Sequence, residues 1–376
     1  MKLSKRIQNI EGSKTARFIP LLEQMKRDGR SVISLAIGEP EFDTPAPIIQ
    51  ATKQALDLQK TRYSAIAGLD DLRSVLADRF EGCTSENIAI FNGSKQALFS
   101  IFQAVCDPGG QVIIPVPCWV SFAEQVKLAG GEPVFVATRD HQLNTDAIEM
   151  AIGPHTQAIL INSPNNPTGA VYPRKDLERI ARLAEDHDLF LIADEAYDVF
   201  VYDDESCPSL YELATARDRL IVTRSFSKHF AMTGFRIGYV VALPAVTDAM
   251  IRLQSHVSGN VCTFAQHGAL AALAMDDALI VHRRSELQRK RDLAFDQVAD
   301  LFSCIRPQGA FYLFPDVSAH FDENEGSAGF AVRLLETAGV AVVPGVDFGM
   351  EGHVRICFAV PEDQLLEAFR RIREVL

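Results

Sequence analysis

Short runs that are apolar throughout alternate with amphipathic stretches along the middle of the chain. Ile88–Phe91 reads as a strand and Asn92-Gly93-Ser94 as a turn. Lys95–Val105 reads as a helix, because Ala97, Leu98, Ile101, Phe102 and Val105 recur at helical spacing. Asp107-Pro-Gly-Gly then breaks the chain ahead of the β-branched run Val112–Val116. Further strand-like runs follow at Val134–Ala137, Ala158–Ile161, Leu189–Ala193, Leu220–Thr223 and Ile237–Ala242, and helical patterns such as Lys175–Asp186 separate most of them. Strands without a polar face need cover on both sides. The pattern therefore predicts an α/β fold, with a mostly parallel seven-stranded sheet between helices.

The ends follow a different order. Residues 1–40 carry one helical pattern (Thr15–Asp28) and a short strand (Val32–Ala36). Beyond about residue 280 come a long charged helix and strands at Ala310–Phe314, Val340–Val343 and Val354–Ala359. A closing helix sets Leu365, Leu366, Phe369, Ile372 and Leu376 on one face. This ordering predicts a smaller α+β domain formed by residues 1–40 and 281–376, beside a large domain of 41–280. A binding cleft is expected between them.

Composition narrows the function classes. The 376 residues include 37 basic and 49 acidic side chains, a net charge of −12, which disfavours nucleic acid or an anionic membrane surface as partner. No apolar run approaches the roughly 20 residues needed to cross a bilayer, and the N-terminal Met1-Lys-Leu-Ser-Lys-Arg lacks the apolar run of a signal peptide. Seven scattered cysteines, none spaced C-x-x-C, fit a reduced cytoplasmic protein better than a disulfide framework or a zinc site. The nine histidines show no ligand spacing, so no metal is expected.

Polar groups capable of chemistry fall just past strand ends, where parallel α/β sheets place ligands. Asn92-Gly93-Ser94-Lys95 joins a strand to a helix start, where free N–H groups suit a phosphate, although G-x-G-x-x-G and the full P-loop pattern are both missing. Asp194-Glu195-Ala196-Tyr197 ends a buried strand with two acids, which are costly unless something cationic meets them; an isolated Asp there would more simply cap a helix. Ser225-Phe226-Ser227-Lys228 follows another strand, and a desolvated lysine there could be a Schiff-base nucleophile. Its match to S-x-x-K fails for want of S-D-N and K-T-G partners. Ser163-Pro-Asn-Asn-Pro-Thr-Gly169 is a rigid loop in which Asn165 and Asn166 can meet a ligand.

Together these motifs resemble the fold-type I, pyridoxal-phosphate-dependent aminotransferases of class I/II, the aspartate aminotransferase-like family. Ser225-Phe-Ser-Lys228-His-Phe-Ala-Met-Thr-Gly-Phe-Arg236-Ile-Gly matches the family's S-x-S-K-x-x-x-M-T-G-x-R-x-G at every key position. N-S-P-N-N-P-T-G and D-E-A-Y match in order and spacing, and the likeness runs from Ile33 to Ile356.

The resemblance implies a role for each matching residue. Lys228 would form the internal aldimine of a ping-pong aminotransferase and then act as general base and acid. Asp194 would pair with the pyridine nitrogen, while Tyr197 and Asn166 would hydrogen-bond the ring hydroxylate. The cofactor phosphate would sit on the Gly93, Ser94 and Lys95 backbone, with Ser225 and Arg236 as side-chain donors. Tyr63 would reach the phosphate of a neighbouring subunit, implying a homodimer with shared active sites. Trp119 would stack on the ring, Arg355 would clamp the substrate α-carboxylate, and Gly38 would let substrate approach the backbone. The substrates implied are an L-amino acid and a 2-oxo acid.

The chain departs from the family near the ring. Pro117-Cys118-Trp119-Val120-Ser121-Phe122 stands where P-x-Y-W-V-S-Y is usual, and Ser258-Gly-Asn-Val-Cys-Thr263 replaces an S-x-S-N-P-T type of stretch. These changes point to a reshaped side-chain pocket, and no arginine or lysine stands out for a distal carboxylate. The alternatives are a β-lyase or synthase on the same cofactor, or a non-catalytic ligand sensor. The sensor suits the sequence less, because Lys228, Asp194 and Arg355 are all present.

Overall fold

A computed structural model describes residues 3–12, 24, 25, 27–203, 205–215 and 217–376. Most of the helix expected over Thr15–Asp28 lies outside the described residues. A short strand β1 (Ile33–Ser34) precedes seven that form one sheet. These are β2 (Ile88–Phe91), β3 (Gln111–Val116), β4 (Glu132–Ala137), β5 (Thr156–Asn162), β6 (Phe190–Asp194), β7 (Leu220–Ser225) and β8 (Gly238–Val241). Their order is β2-β8-β7-β6-β5-β3-β4. Only β8 runs against its neighbours β2 and β7; the rest pair in parallel, as the sequence predicts.

Two apolar clusters clothe this sheet, and strand residues divide between them alternately. Ile159 and Ile161 of β5, with Leu191 and Ala193 of β6, join one cluster. Ala158, Leu160 and Ile192 join the other. That alternation explains why these strands carry no polar face: both sides are covered. Polar side chains are left for the strand ends, which is where β6 and β7 stop at Asp194 and Ser225.

The terminal elements collect in a third cluster running from Met25, Ile33 and Leu35 to Phe369 and Ile372. Here β9 (Tyr312–Leu313), β10 (Val340–Ala341), β11 (Val343–Pro344) and β12 (Val354–Cys357) are short. The expected single strand Val340–Val343 is in fact two. β10 pairs in parallel with β1, whereas β11 pairs antiparallel with β12, which in turn pairs with β9. The closing helix, Glu362–Val375, buries Leu365, Ala368, Phe369 and Ile372. Leu366 and Leu376, expected on that face, are exposed: Leu366 is rotated off the buried stripe, and Leu376 lies past the helix end at Val375.

Candidate active site

The strand ends and the terminal elements enclose a cleft of about 400 Å³, lined from stretches of chain that are distant in sequence. Lys228 sits on the short Phe226–His229 helix directly after β7, whose start is capped by Ser225 Oγ accepting from the Ser227 N–H at 3.1 Å. The Lys228 ammonium donates to the Gly38 carbonyl at 2.6 Å. Burial pulls its pKa down to about 8, assisted by the positive charges of Arg355 and Arg236.

The two acids at the end of β6 part company. Glu195 turns away from the cleft and accepts from Arg224 at 2.7 and 3.0 Å, from Ser209 Oγ at 2.8 Å and from the Leu210 N–H at 3.0 Å. Asp194 faces into it. No side-chain cation meets Asp194 among the described residues, its Oδ1 is buried without a hydrogen-bond partner, and burial pushes the carboxyl up to about 7. The Asn162 amide donates to the Asp194 carbonyl at 3.0 Å, tying β5 to β6 where both end.

Asn162 also organises the proline-rich loop, because its Oδ1 accepts from the Asn166 N–H at 3.0 Å. Asn166 Oδ1 in turn accepts from Arg355 Nη1 at 3.0 Å, and Arg355 Nη2 donates to the Ala36 carbonyl at 2.6 Å. The guanidinium is buried against the rings of Tyr312 and Phe348, at 4.5 and 5.1 Å, and its Nε has no partner. Only part of its donor fork is thus committed, and the rest remains for a ligand. Tyr197 meets Tyr312 hydroxyl to hydroxyl at 2.8 Å.

On the opposite wall, the Ser94–Val105 helix opens into the cleft, and its first N–H groups have no carbonyl a turn earlier to bond. Gly93 precedes it at φ +80°, and a Cβ there would press on the Arg236 guanidinium. The positive φ is what calls for glycine there. Arg236 is held at a left-handed φ of 56° and donates from Nη1 to the Thr233 carbonyl at 2.8 Å. The Lys95 side chain lies 5.0 Å from the Trp119 ring, and burial together with the Arg236 charge lowers its pKa. Among the described residues no carboxylate pairs with it.

The cleft thus gathers Gly38, Ser94, Lys95, Trp119, Asn166, Asp194, Tyr197, Ser225, Lys228, Arg236 and Arg355, with Gly93 behind them. Tyr63 stands apart, 99% exposed and outside the lining. Four expectations change. Asn165 is a loop staple: its side chain accepts from the Thr168 hydroxyl at 2.8 Å and N–H at 3.2 Å. Cys118 and Phe122 are buried and do not line the cleft, so only Trp119 of that segment does. The Ser258–Thr263 stretch meets the loop around Tyr63 instead, with Thr263 Oγ1 donating to the Arg62 carbonyl and Asn260 to Ser64 Oγ. The space at Gly38 is filled by Tyr312, whose hydroxyl a Cβ would overlap. The sequence reading missed Asn162 and Tyr312. Asn162 immediately precedes the proline-rich loop, which was a signal; Tyr312 offered none, because its hydroxyl partner Tyr197 lies far away along the chain.

This cleft, at the C-terminal ends of a mostly parallel sheet with a buried lysine, an aspartate that keeps one buried oxygen unpartnered and a buried arginine, is that of a fold-type I aminotransferase. Residues 30–372 match the family aminotransferase class I and II, and the chain belongs to it. More particularly, it is 39% identical over 387 residues to the aspartate/prephenate aminotransferase of Thermus thermophilus, covering 100% of this chain and 98% of that one. It is 37% identical over 390 residues to aromatic-amino-acid aminotransferase 2 of Thermococcus litoralis, with the same coverage. The structure of the aspartate aminotransferase from Thermus thermophilus with maleate aligns with a TM-score of 0.95 at 39% identity, covering all of both chains.

Proposed function

We propose that this aminotransferase works with pyridoxal phosphate and moves an amino group between a dicarboxylic L-amino acid, such as aspartate, and a 2-oxo acid. The observation that carries the reading is Asp194: a buried carboxylate oxygen with no partner, in a cleft that also holds a desolvated lysine. Such an oxygen is costly unless a cation arrives with the ligand. A protonated pyridine nitrogen supplies that cation.

The other residues fit the same group. The helix start at Gly93-Ser94-Lys95, with Ser225 and Arg236 beside it, suits a phosphate dianion. When bound, pyridoxal phosphate supplies an electron sink for the charge left at a substrate Cα. Asp194 keeps a proton on the ring nitrogen, and Tyr197 and Asn166 offer donors to the ring oxygen. Lys228, whose pKa of about 8 is suited to exchanging protons at neutral pH, takes the proton from the substrate Cα and returns one. The free donors of Arg355 hold the α-carboxylate in its planar fork.

Lys95 is the cation we assign to a distal carboxylate, since its side chain lies in the cleft with an aromatic ring as its neighbour and no acid among the described residues. The exposure of Tyr63 supports a homodimer in which that phenol reaches the site of a second copy. We further propose that the site lies at the junction of a 41–280 domain with one made of 1–40 and 281–376. A cytoplasmic location is proposed because all seven cysteines are unpaired.

The test is an absorbance spectrum of the purified protein loaded with pyridoxal phosphate and then given single L-amino acids. A visible band that bleaches with aspartate or glutamate and returns with a 2-oxo acid is expected. Absence of a band refutes the cofactor. Steady release of ammonia and a 2-oxo acid from one substrate, without an acceptor, would replace transamination with lyase chemistry. Lys95→Met should raise KM about 10-fold for dicarboxylic donors and leave monocarboxylic ones unchanged.

A further inference from the structure

Tyr312 is 1% exposed, yet its side chain touches two groups of the site that serve different parts of a bound ligand. Its hydroxyl lies 2.8 Å from the Tyr197 hydroxyl, and its ring face carries the Arg355 guanidinium at 4.5 Å. The relation to Arg355 is fixed by backbone pairing. β9 supplies Tyr312 and β12 supplies Arg355, with Tyr312 registered against Cys357 and Leu313 against Ile356. The absent side chain of Gly38 leaves the room the hydroxyl occupies.

The Tyr197 oxygen is the only hydrogen-bond partner of the Tyr312 hydroxyl among the described residues. Two phenols that share one hydrogen bond must divide donor and acceptor roles. If Tyr197 gives its proton to a ligand oxygen in the cleft, the shared bond can form only with Tyr312 as donor. Chains of this kind strengthen each donor in turn.

We propose that Tyr312 is a positioning residue: it donates to Tyr197 so that the Tyr197 proton points at the cofactor ring oxygen, and its ring face fixes the Arg355 clamp. One side chain thereby keeps ring chemistry and carboxylate binding in register. The inference rests on the pyridoxal phosphate reading above. Burial pushes Tyr197 up to about 12 and Tyr312 well above the ordinary phenol range, so both remain protonated donors at neutral pH. The other titratable or charged groups facing the pair are Arg355 and Cys357 from β12 and Asp194 from β6, while Lys228, in the same cleft, lies 6.0 Å from the Phe311 ring.

Two variants separate the two contacts. Tyr312→Phe removes the hydroxyl and keeps the ring; Tyr312→Leu removes both. With pyridoxal phosphate bound, the pH at which the visible band changes is read by titration without substrate, and KM and kcat are measured for aspartate. A weaker donor to the ring oxygen stabilises its anionic form less, so the midpoint should rise by about 0.5 to 1 pH in both variants. Tyr312→Phe should keep KM within about 2-fold of wild type, whereas Tyr312→Leu should raise it about 10-fold. A Tyr312→Phe midpoint that superimposes on wild type overturns the relay. Equal KM values for the two variants overturn the clamp. A wild-type protein with no visible band refutes the cofactor reading itself, an outcome distinct from either.

Discussion

Asp194→Asn separates the cost of a buried acid without a cation from its use. In the cofactor-free protein this carboxyl is 5% exposed and raised by burial from an ordinary value of 3.8 to about 7. Each pH unit of such displacement corresponds to about 1.36 kcal/mol, so the ionised group destabilises the cofactor-free fold by about 4 kcal/mol once pH exceeds about 7. The sign comes from proton counting. Between about pH 4 and 7 the folded chain keeps a proton on Asp194 that the unfolded chain has released, so this contribution to stability falls as pH rises. Below about pH 4 both states are protonated and the penalty vanishes.

Urea unfolding of the cofactor-free protein and of Asp194→Asn, at about pH 5.5 and about pH 8, measures this. Asparagine has no proton to lose, so the wild type should lose about 2 kcal/mol more than the variant across that interval. Pyridoxal phosphate should then stabilise wild type at the higher pH far more than the variant, because only wild type offers a carboxylate to the ring nitrogen. Catalysis should fall at least about 100-fold in the variant. Parallel pH profiles for the two proteins would refute the account of Asp194 as a buried carboxylate that waits for a cation.

Three further outcomes are expected from the geometry. Lys228→Ala should abolish turnover with the fold intact, checked by circular dichroism alongside the transamination assay. Arg355→Lys should raise KM for α-amino acids about 10-fold or more while pyridoxal phosphate binds as in wild type, since an ammonium cannot make the planar contact; this is read by steady-state kinetics and cofactor titration. Arg224→Met leaves Glu195 buried without its cation, and a loss of about 3 kcal/mol in urea unfolding is expected at neutral pH.

The legible and the silent parts of the sequence have different physical origins. Most strands of the sheet could be read because a strand covered on both faces must be apolar at consecutive positions, as Ile159, Leu160 and Ile161 are; the edge strand β4 is largely exposed and was legible from the apolar run Val134–Ala137 alone. The division at Val342 could not, because β10 and β11 differ only in which distant strand each one meets. Motif residues at strand ends were readable for a related reason: a polar side chain beside an all-apolar run has few places to go. Lys95 was recognised only through its backbone, since no local pattern says whether a lysine side chain will find an acid. Cys118 and Phe122 point to the pocket only through their departure from the family's segment around Trp119, which does not say where a side chain is directed; of the three only the tryptophan enters the cleft. Tyr312 was silent because a tyrosine in an apolar run is ordinary, and its meaning lies in Gly38, Tyr197 and Arg355.

Asp194 and Glu195 bring the local and the distant together. They are adjacent carboxylates at the end of one strand, both nearly excluded from water, and burial raises both. Alternation along β6 sends them to opposite sides of the sheet. Glu195 emerges beside Arg224 of the neighbouring strand, and although burial pulls that guanidinium down, the carboxylates of Asp198 and Glu195 outweigh it and keep Arg224 charged. Asp194 emerges on the side where β7 offers Ser225 and then Lys228, and the Lys228 ammonium is directed to the Gly38 carbonyl instead. One acid is therefore spent on the protein's own stability. The other is left for a ligand, and replacing Arg224 should unfold the chain sooner whereas replacing Asp194 should steady the cofactor-free fold while silencing it.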